Sequence, residues 1–227
     1  MRHSWYAIFR GMKKRGYDRI AAHYDWMSRL VFGGAQVRAQ TDHLGELTAG
    51  RRLLIAGGGT GWILDELAKT PQALDIVYVE TSEQMTRLSE GRARGNNRIE
   101  FVKASAVNYS TENPFDVIFT PFIFDHFAQA GAEELFANLD RLLVPGGRWI
   151  YADFKKPEPA DAWWQQMLAK IMYRFFNLLD IVEVRHMPDM EQVFLSRGYR
   201  RMRWQSYYGG LIDSGVFIKK HKTESSL

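Results

Sequence analysis

Hydrophobic residues along the chain follow two different periods, which predict two kinds of element. Five short segments are hydrophobic at nearly every position, and they predict buried β-strands at residues 51–56, 76–79, 99–102, 115–119 and 148–152. Continuous hydrophobicity is typical of strands covered on both faces, as in parallel sheets. Between these strands, hydrophobic residues recur every three or four positions and predict helices. The alternation indicates an α/β fold with helices on both faces of the sheet.

The end of the chain has a different pattern. Two β-like runs, at residues 199–207 and 215–219, are separated by a short segment that contains Gly209 and Gly210. Strands connected this closely must be antiparallel, because a parallel crossover needs about a dozen residues or more. The complete prediction is a Rossmann-like, doubly wound, mostly parallel seven-stranded sheet with an antiparallel terminal strand.

The strongest candidate chemistry follows the first predicted strand, where residues 57–61 read Gly-Gly-Gly-Thr-Gly. Glycines at such a turn let the backbone approach a ligand closely, and the start of the next helix adds N–H donors. Trp62 stands where the NAD fingerprint needs a glycine, which disfavours a dinucleotide. Glu80 ends the next predicted strand about 20 residues later, where a carboxylate can bind both ribose hydroxyls. This combination predicts a nucleoside-cofactor site.

With these motifs, the sequence resembles the class I S-adenosylmethionine-dependent methyltransferases. The resemblance is to the small-molecule group that includes the ubiquinone/menaquinone C-methyltransferases. It extends from about Tyr17 to Lys219 and depends on residues 53–61, 79–85, 115–118 and 142–148. It implies S-adenosyl-L-methionine as cofactor and S-adenosyl-L-homocysteine as product. The implied reaction is methyl transfer to an O or C atom of a small, apolar or aromatic molecule.

The resemblance also implies a set of cofactor contacts. Two positions depart from the family pattern: Ala56 and Ser105 stand where an acidic residue is usual. Tyr17 and Tyr24 share one helix face, and packing in the core is the alternative for both. The implied contacts are Tyr17, Tyr24, Ala56, Gly57, Gly58, Gly59, Thr60, Gly61, Glu80, Thr81, Met85, Ser105, Ala106 and Thr120.

The methyl acceptor is expected beyond the carboxyl end of the fourth strand, the usual crevice of open α/β sheets. Asp125 and His126 are the titratable pair there, and an imidazole can remove a proton near neutral pH. The alternative is a helix start, with Asp125 as N-cap and His126 on the surface. Residues 120–122 lack the signature of enzymes that methylate amides or adenine amino groups. The further substrate candidates are Phe122, Trp163, Tyr173 and His186.

Length and resemblance together indicate a single methyltransferase domain of 227 residues. Residues 1–48 are expected to form an N-terminal helical cap and residues 49–156 the cofactor-binding core. Residues 157–187, rich in aromatic side chains, are expected to form a helical insertion that covers the substrate. Residues 188–227 supply a closing helix and the antiparallel strands.

Charge and composition limit the partners. The net charge of +4 divides into +6 for residues 1–38, −7 for residues 39–196 and +6 for residues 197–222. Basic ends can attract an anionic acceptor or an anionic membrane surface, and solvated faces are the alternative. The chain has no cysteine, which excludes thiol chemistry and fits a cytoplasmic protein. No metal site is predicted.

Three interpretations stay open at this stage. A non-catalytic S-adenosylmethionine-binding module and a nucleic-acid methyltransferase are the alternatives to a small-molecule enzyme. The acidic centre of the chain disfavours nucleic acid, whose phosphates favour basic surfaces. The oligomeric state, monomer or homodimer, and contact with a membrane are likewise open.

Overall fold

The seven predicted strands form one sheet. A computed structural model describes residues 32–48, 51–155, 163–178 and 187–221. The strands are β1 (Arg52–Ala56), β2 (Asp75–Glu80), β3 (Arg98–Lys103), β4 (Phe115–Pro121), β5 (Leu143–Phe154), β6 (Tyr199–Tyr207) and β7 (Ile212–Lys219).

The order of strands across the sheet is β3-β2-β1-β4-β5-β7-β6. Strands β1 to β5 pair in parallel, and β7 is antiparallel to both of its neighbours. The predicted Rossmann-like, mostly parallel sheet with an antiparallel terminal strand is therefore confirmed.

Helices cover the sheet between the strands. They are α1 (Ala35–Thr41), α2 (Trp62–Leu67), α3 (Glu83–Glu90), α4 (Gln129–Leu142), α5 (Trp163–Leu178) and α6 (Met190–Ser196). Side-chain caps fix the start of two of them, because Ser82 accepts a hydrogen bond from Met85 N and Asp189 accepts one from Gln192 N. None of the helices in the described ranges is long and apolar enough to cross a lipid bilayer.

The central strands of the sheet are buried on both faces, as their continuous hydrophobic runs indicate, whereas the edge strands β3 and β6 are largely exposed or half-buried. Leu54 of β1 lies in one hydrophobic cluster with residues of α4 and α6. Its neighbours Leu53 and Ile55 lie in a second cluster with residues of α2. Successive side chains of a strand point to opposite faces, so the two clusters sandwich the sheet. This packing holds the carboxyl ends of β1 and β2 rigidly in place.

The structure differs from the sequence prediction at two elements. The fifth strand spans Leu143–Phe154 rather than residues 148–152. Its early start comes from the pairing of Leu143 with Phe115 of β4, and its later end from the ladder with β7, which reaches Phe154. In the described part of the expected helical cap (residues 1–48), the helix ends at Thr41, and a short 3-10 turn, Leu44–Glu46, follows. In both cases, contacts with other strands or a local turn override the local sequence signal.

The topology places one crevice in the sheet. The strand order reverses direction between β1 and β4, and the loops after these two strands leave in opposite directions. Ligands of open α/β sheets bind at this switch point, outside the carboxyl ends of the strands. The glycine loop, Glu80 and the loop after β4 all lie at this edge.

Candidate active site

The glycine loop between β1 and α2 has a backbone that requires glycine. Gly57, Gly59 and Gly61 have φ angles of +71°, +62° and +74°, which side chains rarely tolerate. A Cβ atom on Gly57 would lie 2.7 Å from the Ile123 side chain, and one on Gly61 would lie 2.5 Å from Ser89 Cβ. A Cβ on Gly59 would meet nothing within 4 Å. Gly57 and Gly61 therefore pack against protein, whereas Gly59 faces open space.

Tyr78 supports this loop from β2. A Cβ on Gly58 would lie closer than 3.0 Å to the Tyr78 ring, so glycine lets the loop rest on that ring. The Tyr78 hydroxyl donates a hydrogen bond of 2.9 Å to Gly59 O. Sequence analysis missed this contact, although Tyr78 precedes Glu80 by two residues and must share its face of the strand.

Glu80 joins the glycine loop to the start of α3. Its Oε1 accepts hydrogen bonds of 2.8 Å from the N–H groups of Thr81 and Ser82, and its Oε2 accepts one of 3.0 Å from Gly59 N. The side chain is buried at the edge of the sheet. A carboxylate offers about four acceptor positions, two on each oxygen. Oε2 therefore retains capacity for a ligand hydroxyl next to Gly59.

The loop after β3 is fixed by a residue that the sequence did not single out. Asn138 of α4 donates hydrogen bonds of 2.9 Å to Ala106 O and to Tyr109 O. These bonds hold the backbone around Ser105 and Ala106 beside the carboxyl end of β3. Met85, in the first turn of α3, is buried as well. The predicted adenine-contacting residues thus come from two elements at the same edge of the sheet.

The side chain of Thr120 packs in the core. It is fully buried, and its hydroxyl accepts a hydrogen bond of 2.9 Å from Trp149 Nε1. The hydroxyl is therefore committed to the core, and only the backbone of Thr120 can contribute to the cofactor site. The predicted contacts Ala56 and Thr60 are buried at the glycine loop, and Thr81 is half-buried beside Glu80.

A pair of buried carboxyl groups lies where the acceptor is expected. Asp153, near the end of β5, accepts hydrogen bonds from the N–H groups of Phe124 (2.8 Å), Phe154 (2.8 Å) and Asp125 (3.3 Å). It thereby holds the loop after β4 in shape. Asp125 Oδ1 is buried without a hydrogen-bond partner and lies 3.6 Å from His126 Nε2. Sequence analysis missed Asp153, although the carboxyl end of a fifth strand was a signal for it.

The electrostatics of the carboxyl pair follow from burial. Burial raises the pKa of Asp153 well above its usual range, and the Asp125 carboxyl raises it further. Burial likewise raises the pKa of Asp125, and His126 opposes that rise. Both carboxyl groups therefore favour the protonated state more than an exposed aspartate does.

The alternative of a helix start at Asp125 is wrong. Residues Phe124–His126 form a 3-10 turn, and α4 begins only at Gln129, after Ala128. Asp125 caps no helix, and His126 is largely buried, with 17% of its side chain exposed. The loop after β4 turns inward because Asp153 binds its backbone N–H groups.

Aromatic rings gather beside this loop. Phe122 has a φ of +54°, an uncommon conformation for a bulky residue, and such strain clusters at ligand sites. Its ring centroid lies 4.9 Å from that of Phe154, and Phe154 lies 5.0 Å from Phe32. Phe32 in turn meets the Tyr208 ring edge-on at 5.4 Å. The structure thus places the predicted substrate residue Phe122 in an aromatic cluster that the sequence had not indicated.

The other predicted substrate residues lie on the insertion or outside the described residues. Trp163 begins α5 and has 75% of its surface exposed. Its neighbour Trp164 packs against Gly209, next to Tyr208. Tyr17, Tyr24, His186 and the side chain of Tyr173 lie outside what the structure describes.

Comparisons with known proteins agree with this site. Residues 53–147, from β1 to the first part of β5, match the family described as "Methyltransferase domain". A methyltransferase from Aquifex aeolicus has a similar fold, with a TM-score of 0.60 and 18% identity over 88% of this chain and 97% of that one. So does the 1,6-didemethyltoxoflavin-N1-methyltransferase of Burkholderia thailandensis, with a TM-score of 0.61 and 16% identity over 92% of this chain and 88% of that one. The fold and these comparisons support an enzyme that uses S-adenosylmethionine and is similar to the class I methyltransferases.

Among curated proteins, the chain is similar to the ubiquinone/menaquinone biosynthesis C-methyltransferases UbiE. It is 25% identical to that of Yersinia enterocolitica, over 89% of this chain and 88% of the relative. It is 24% identical to that of Azotobacter vinelandii, over 86% of this chain and 85% of the relative. The matches span nearly the whole fold rather than the nucleotide motif alone.

The residues present fit S-adenosylmethionine. Its methionine part can lie in the open space at Gly59, and its ribose can donate a hydrogen bond to Glu80 Oε2. Its adenine can lie against the loop of Ser105 and Ala106, which Asn138 anchors. Ala56 and Ser105 supply no carboxylate, so these two positions offer a bound cofactor only backbone groups and the Ser105 hydroxyl.

Proposed function

We propose that the enzyme methylates an O or C atom of a small apolar or aromatic molecule bound beyond the carboxyl ends of β4 and β5. The observation that carries this proposal is the aromatic cluster of Phe122, Phe154, Phe32 and Tyr208 beside the Asp125–His126 turn. Aromatic rings favour planar, apolar ligands, and the buried turn adds a group that can accept a proton.

The first task of the protein is to hold the cofactor in line with the acceptor. We infer that Gly57 to Gly61 contact its methionine part and ribose, that Glu80 accepts hydrogen bonds from the ribose hydroxyls, and that Met85, Thr81, Ser105 and Ala106 surround the adenine. S-adenosylmethionine, when bound, supplies an electrophilic methyl group. Since the cofactor carries the reactive group, alignment of the acceptor is the main contribution of the chain.

The second task is to remove a proton from the acceptor. We infer that the His126 imidazole takes the proton from an acceptor hydroxyl or from an activated carbon. The Asp125 carboxyl, 3.6 Å from His126 Nε2, would stabilise the resulting imidazolium. Asp153 is a positioning residue in this scheme, because it binds the backbone N–H groups of the turn rather than the acceptor.

The curated relatives bear on the acceptor atom, and one solved structure bears on the size of the acceptor. The curated relatives are named C-methyltransferases, which favours a carbon atom. The Burkholderia thailandensis enzyme was solved with bound 1,6-didemethyltoxoflavin, which shows that this fold accepts a small molecule, here at a nitrogen. We propose carbon or oxygen for this chain because residues 120–122 lack the signature of enzymes that methylate amides or adenine amino groups.

We also infer a division of labour along the chain. Residues 49–156 bind the cofactor, and residues 157–187, through α5, cover the acceptor together with the cap formed by residues 1–48. The contact of Trp164 with Gly209, beside Tyr208, supports this placement of α5. We further propose that the enzyme is cytoplasmic; recovery from a secreted fraction would contradict this.

Transfer of a labelled methyl group tests the proposed reaction. The enzyme is incubated with methyl-labelled S-adenosylmethionine and a small-molecule extract, and the product is fragmented by mass spectrometry. We expect label on carbon or oxygen of an apolar product and a loss of about 10²-fold or more with His126→Gln, since general bases contribute this much. Label on nitrogen, or a salt-sensitive shift with RNA or DNA as acceptor, would contradict the proposal.

A further inference from the structure

Helix α5 presents an apolar face to solvent. The exposed fractions are 75% for Trp163, 41% for Trp164, 47% for Met167 and 44% for Ile171. At about 100° per residue, these four side chains fall within an arc of about 100° around the helix. They therefore form one continuous stripe, which we call the α5 stripe.

Contacts on the opposite side fix the orientation of this helix. Gln165 Nε2 donates a hydrogen bond of 2.6 Å to Gly209 O, in the turn between β6 and β7. Ala169, one turn further along, is buried at 3% exposure, and Leu168 packs near Gly209. This side faces the domain, so Trp163, Met167 and Ile171 face outward. Trp164, at the edge of the α5 stripe nearest this side, is 41% exposed and rests one edge of its ring on Gly209.

The charge on α5 is of one sign. Residues 163–178 contain no aspartate or glutamate, and the two charged residues, Lys170 and Arg174, are both exposed. By helical spacing, Arg174 lies within the arc of the α5 stripe and Lys170 lies at its edge. Tryptophan and long apolar side chains flanked by cations are typical of helices that lie in the interface of an anionic membrane.

We propose that the α5 stripe inserts into the headgroup region of a bilayer that contains anionic lipid, with Lys170 and Arg174 against the lipid phosphates. The helix of 16 residues is about 24 Å long and lies on the membrane rather than crossing it. This inference rests on the proposed function in one respect. If α5 covers an apolar acceptor, a membrane contact on α5 places the acceptor site next to the bilayer, where apolar molecules dissolve. The docking itself does not depend on the reaction.

Charge argues against two other occupants. In a symmetric dimer formed through the α5 stripe, Lys170 and Arg174 of one copy would approach the same cations of the other. Residues 1–31 carry seven Lys or Arg and two Asp or Glu, so this segment is itself basic. An anionic lipid surface is the occupant that complements the cations.

Vesicle binding of the full chain tests the proposal. The chain is sedimented with vesicles of phosphatidylcholine alone, and with vesicles that contain about one third phosphatidylglycerol, at physiological salt. We expect clear binding to the anionic vesicles, reduced roughly tenfold or more by the double variant Met167→Glu with Ile171→Glu. We expect Lys170→Glu with Arg174→Glu to remove the preference for anionic lipid.

Leu195 supplies the matched control. It is exposed at 49%, but on α6 rather than on the α5 stripe. Leu195→Glu should leave vesicle binding unchanged. Each variant is also titrated with S-adenosylhomocysteine, and unchanged affinity shows that the fold is intact.

Two results would overturn the inference. One is the absence of binding to anionic vesicles by the wild-type chain, or binding that the stripe variant does not reduce. The other is a wild-type dimer in sedimentation that the stripe variant converts to monomer, which would assign the stripe to a second copy. Failure to find methyl transfer would overturn the proposed reaction but leave this inference intact.

Discussion

Replacing Gly59 with alanine distinguishes a glycine that faces a ligand from one that only shapes a turn. Gly59 has a φ of +62°, and a Cβ there would meet no protein atom within 4 Å. The only cost within the folded protein is backbone strain, about 1–2 kcal/mol for a side chain in the left-handed region. The methyl group, however, projects into the space that we assign to the cofactor.

Gly198 provides a matched control. It has a φ of +80°, a Cβ added there would also meet nothing within 4 Å, and it lies between α6 and β6, away from the proposed site. A destabilisation of about 1 kcal/mol shifts the melting temperature of a chain this size by about 2–4 °C. We expect Gly59→Ala and Gly198→Ala to lower the melting temperature by similar amounts, roughly 2–8 °C each.

The two variants should differ in cofactor binding. Thermal unfolding gives the stability of each, and titration calorimetry with S-adenosylhomocysteine gives the affinity. We expect Gly198→Ala to bind like the wild type and Gly59→Ala to bind at least about tenfold more weakly, a loss of about 1.4 kcal/mol. Equal affinities for Gly59→Ala and the wild type would refute the placement of the cofactor at this loop.

Three further predictions concern residues around the site. Asn138→Ala should weaken binding of S-adenosylhomocysteine, because it releases the loop after β3, and calorimetry measures this. Thr120→Val should leave that affinity unchanged but destabilise the protein by about 1–3 kcal/mol in denaturant unfolding, since Trp149 Nε1 loses its buried acceptor. Burial raises the pKa of both Asp125 and Asp153. Protons that they bind in the folded state are released on unfolding, so the free energy of unfolding falls as pH rises above the ordinary carboxyl pKa. Asp125→Asn removes one of these charges, so its melting temperature relative to wild type should rise from about pH 5 to about pH 8; a flat difference would contradict this.

The strands could be predicted because their signal is local. Each of the five parallel strands is a run of hydrophobic residues, and β6 has the bounds 199–207 that its pattern indicated. The length of β5 could not be predicted in the same way. Its second ladder, with β7, joins residues that are far apart in the sequence, such as Phe154 and Ile212.

The parts of the site that belong to a sequence motif could be predicted. The glycine loop and Glu80 follow from spacing, since strand ends in a parallel sheet meet at one edge. Asp153 was missed because its role depends on the N–H groups of a loop that is distant in sequence. The hydrogen bond that the Thr120 hydroxyl accepts from Trp149 Nε1 could not be predicted, because a strand end alone does not show which side chain turns inward.

Titration calorimetry of S-adenosylhomocysteine into the wild type and Glu80→Gln tests the central claim most directly, since the whole account depends on cofactor binding at the ends of β1 and β2. A glutamine keeps the shape of the side chain but replaces one acceptor oxygen with a donor, next to Gly59 N or the N–H groups of Thr81 and Ser82. We predict binding in the micromolar range for the wild type and a loss of at least about tenfold for the variant. No binding by the wild type, or equal affinity of both proteins at unchanged melting temperature, would contradict the account.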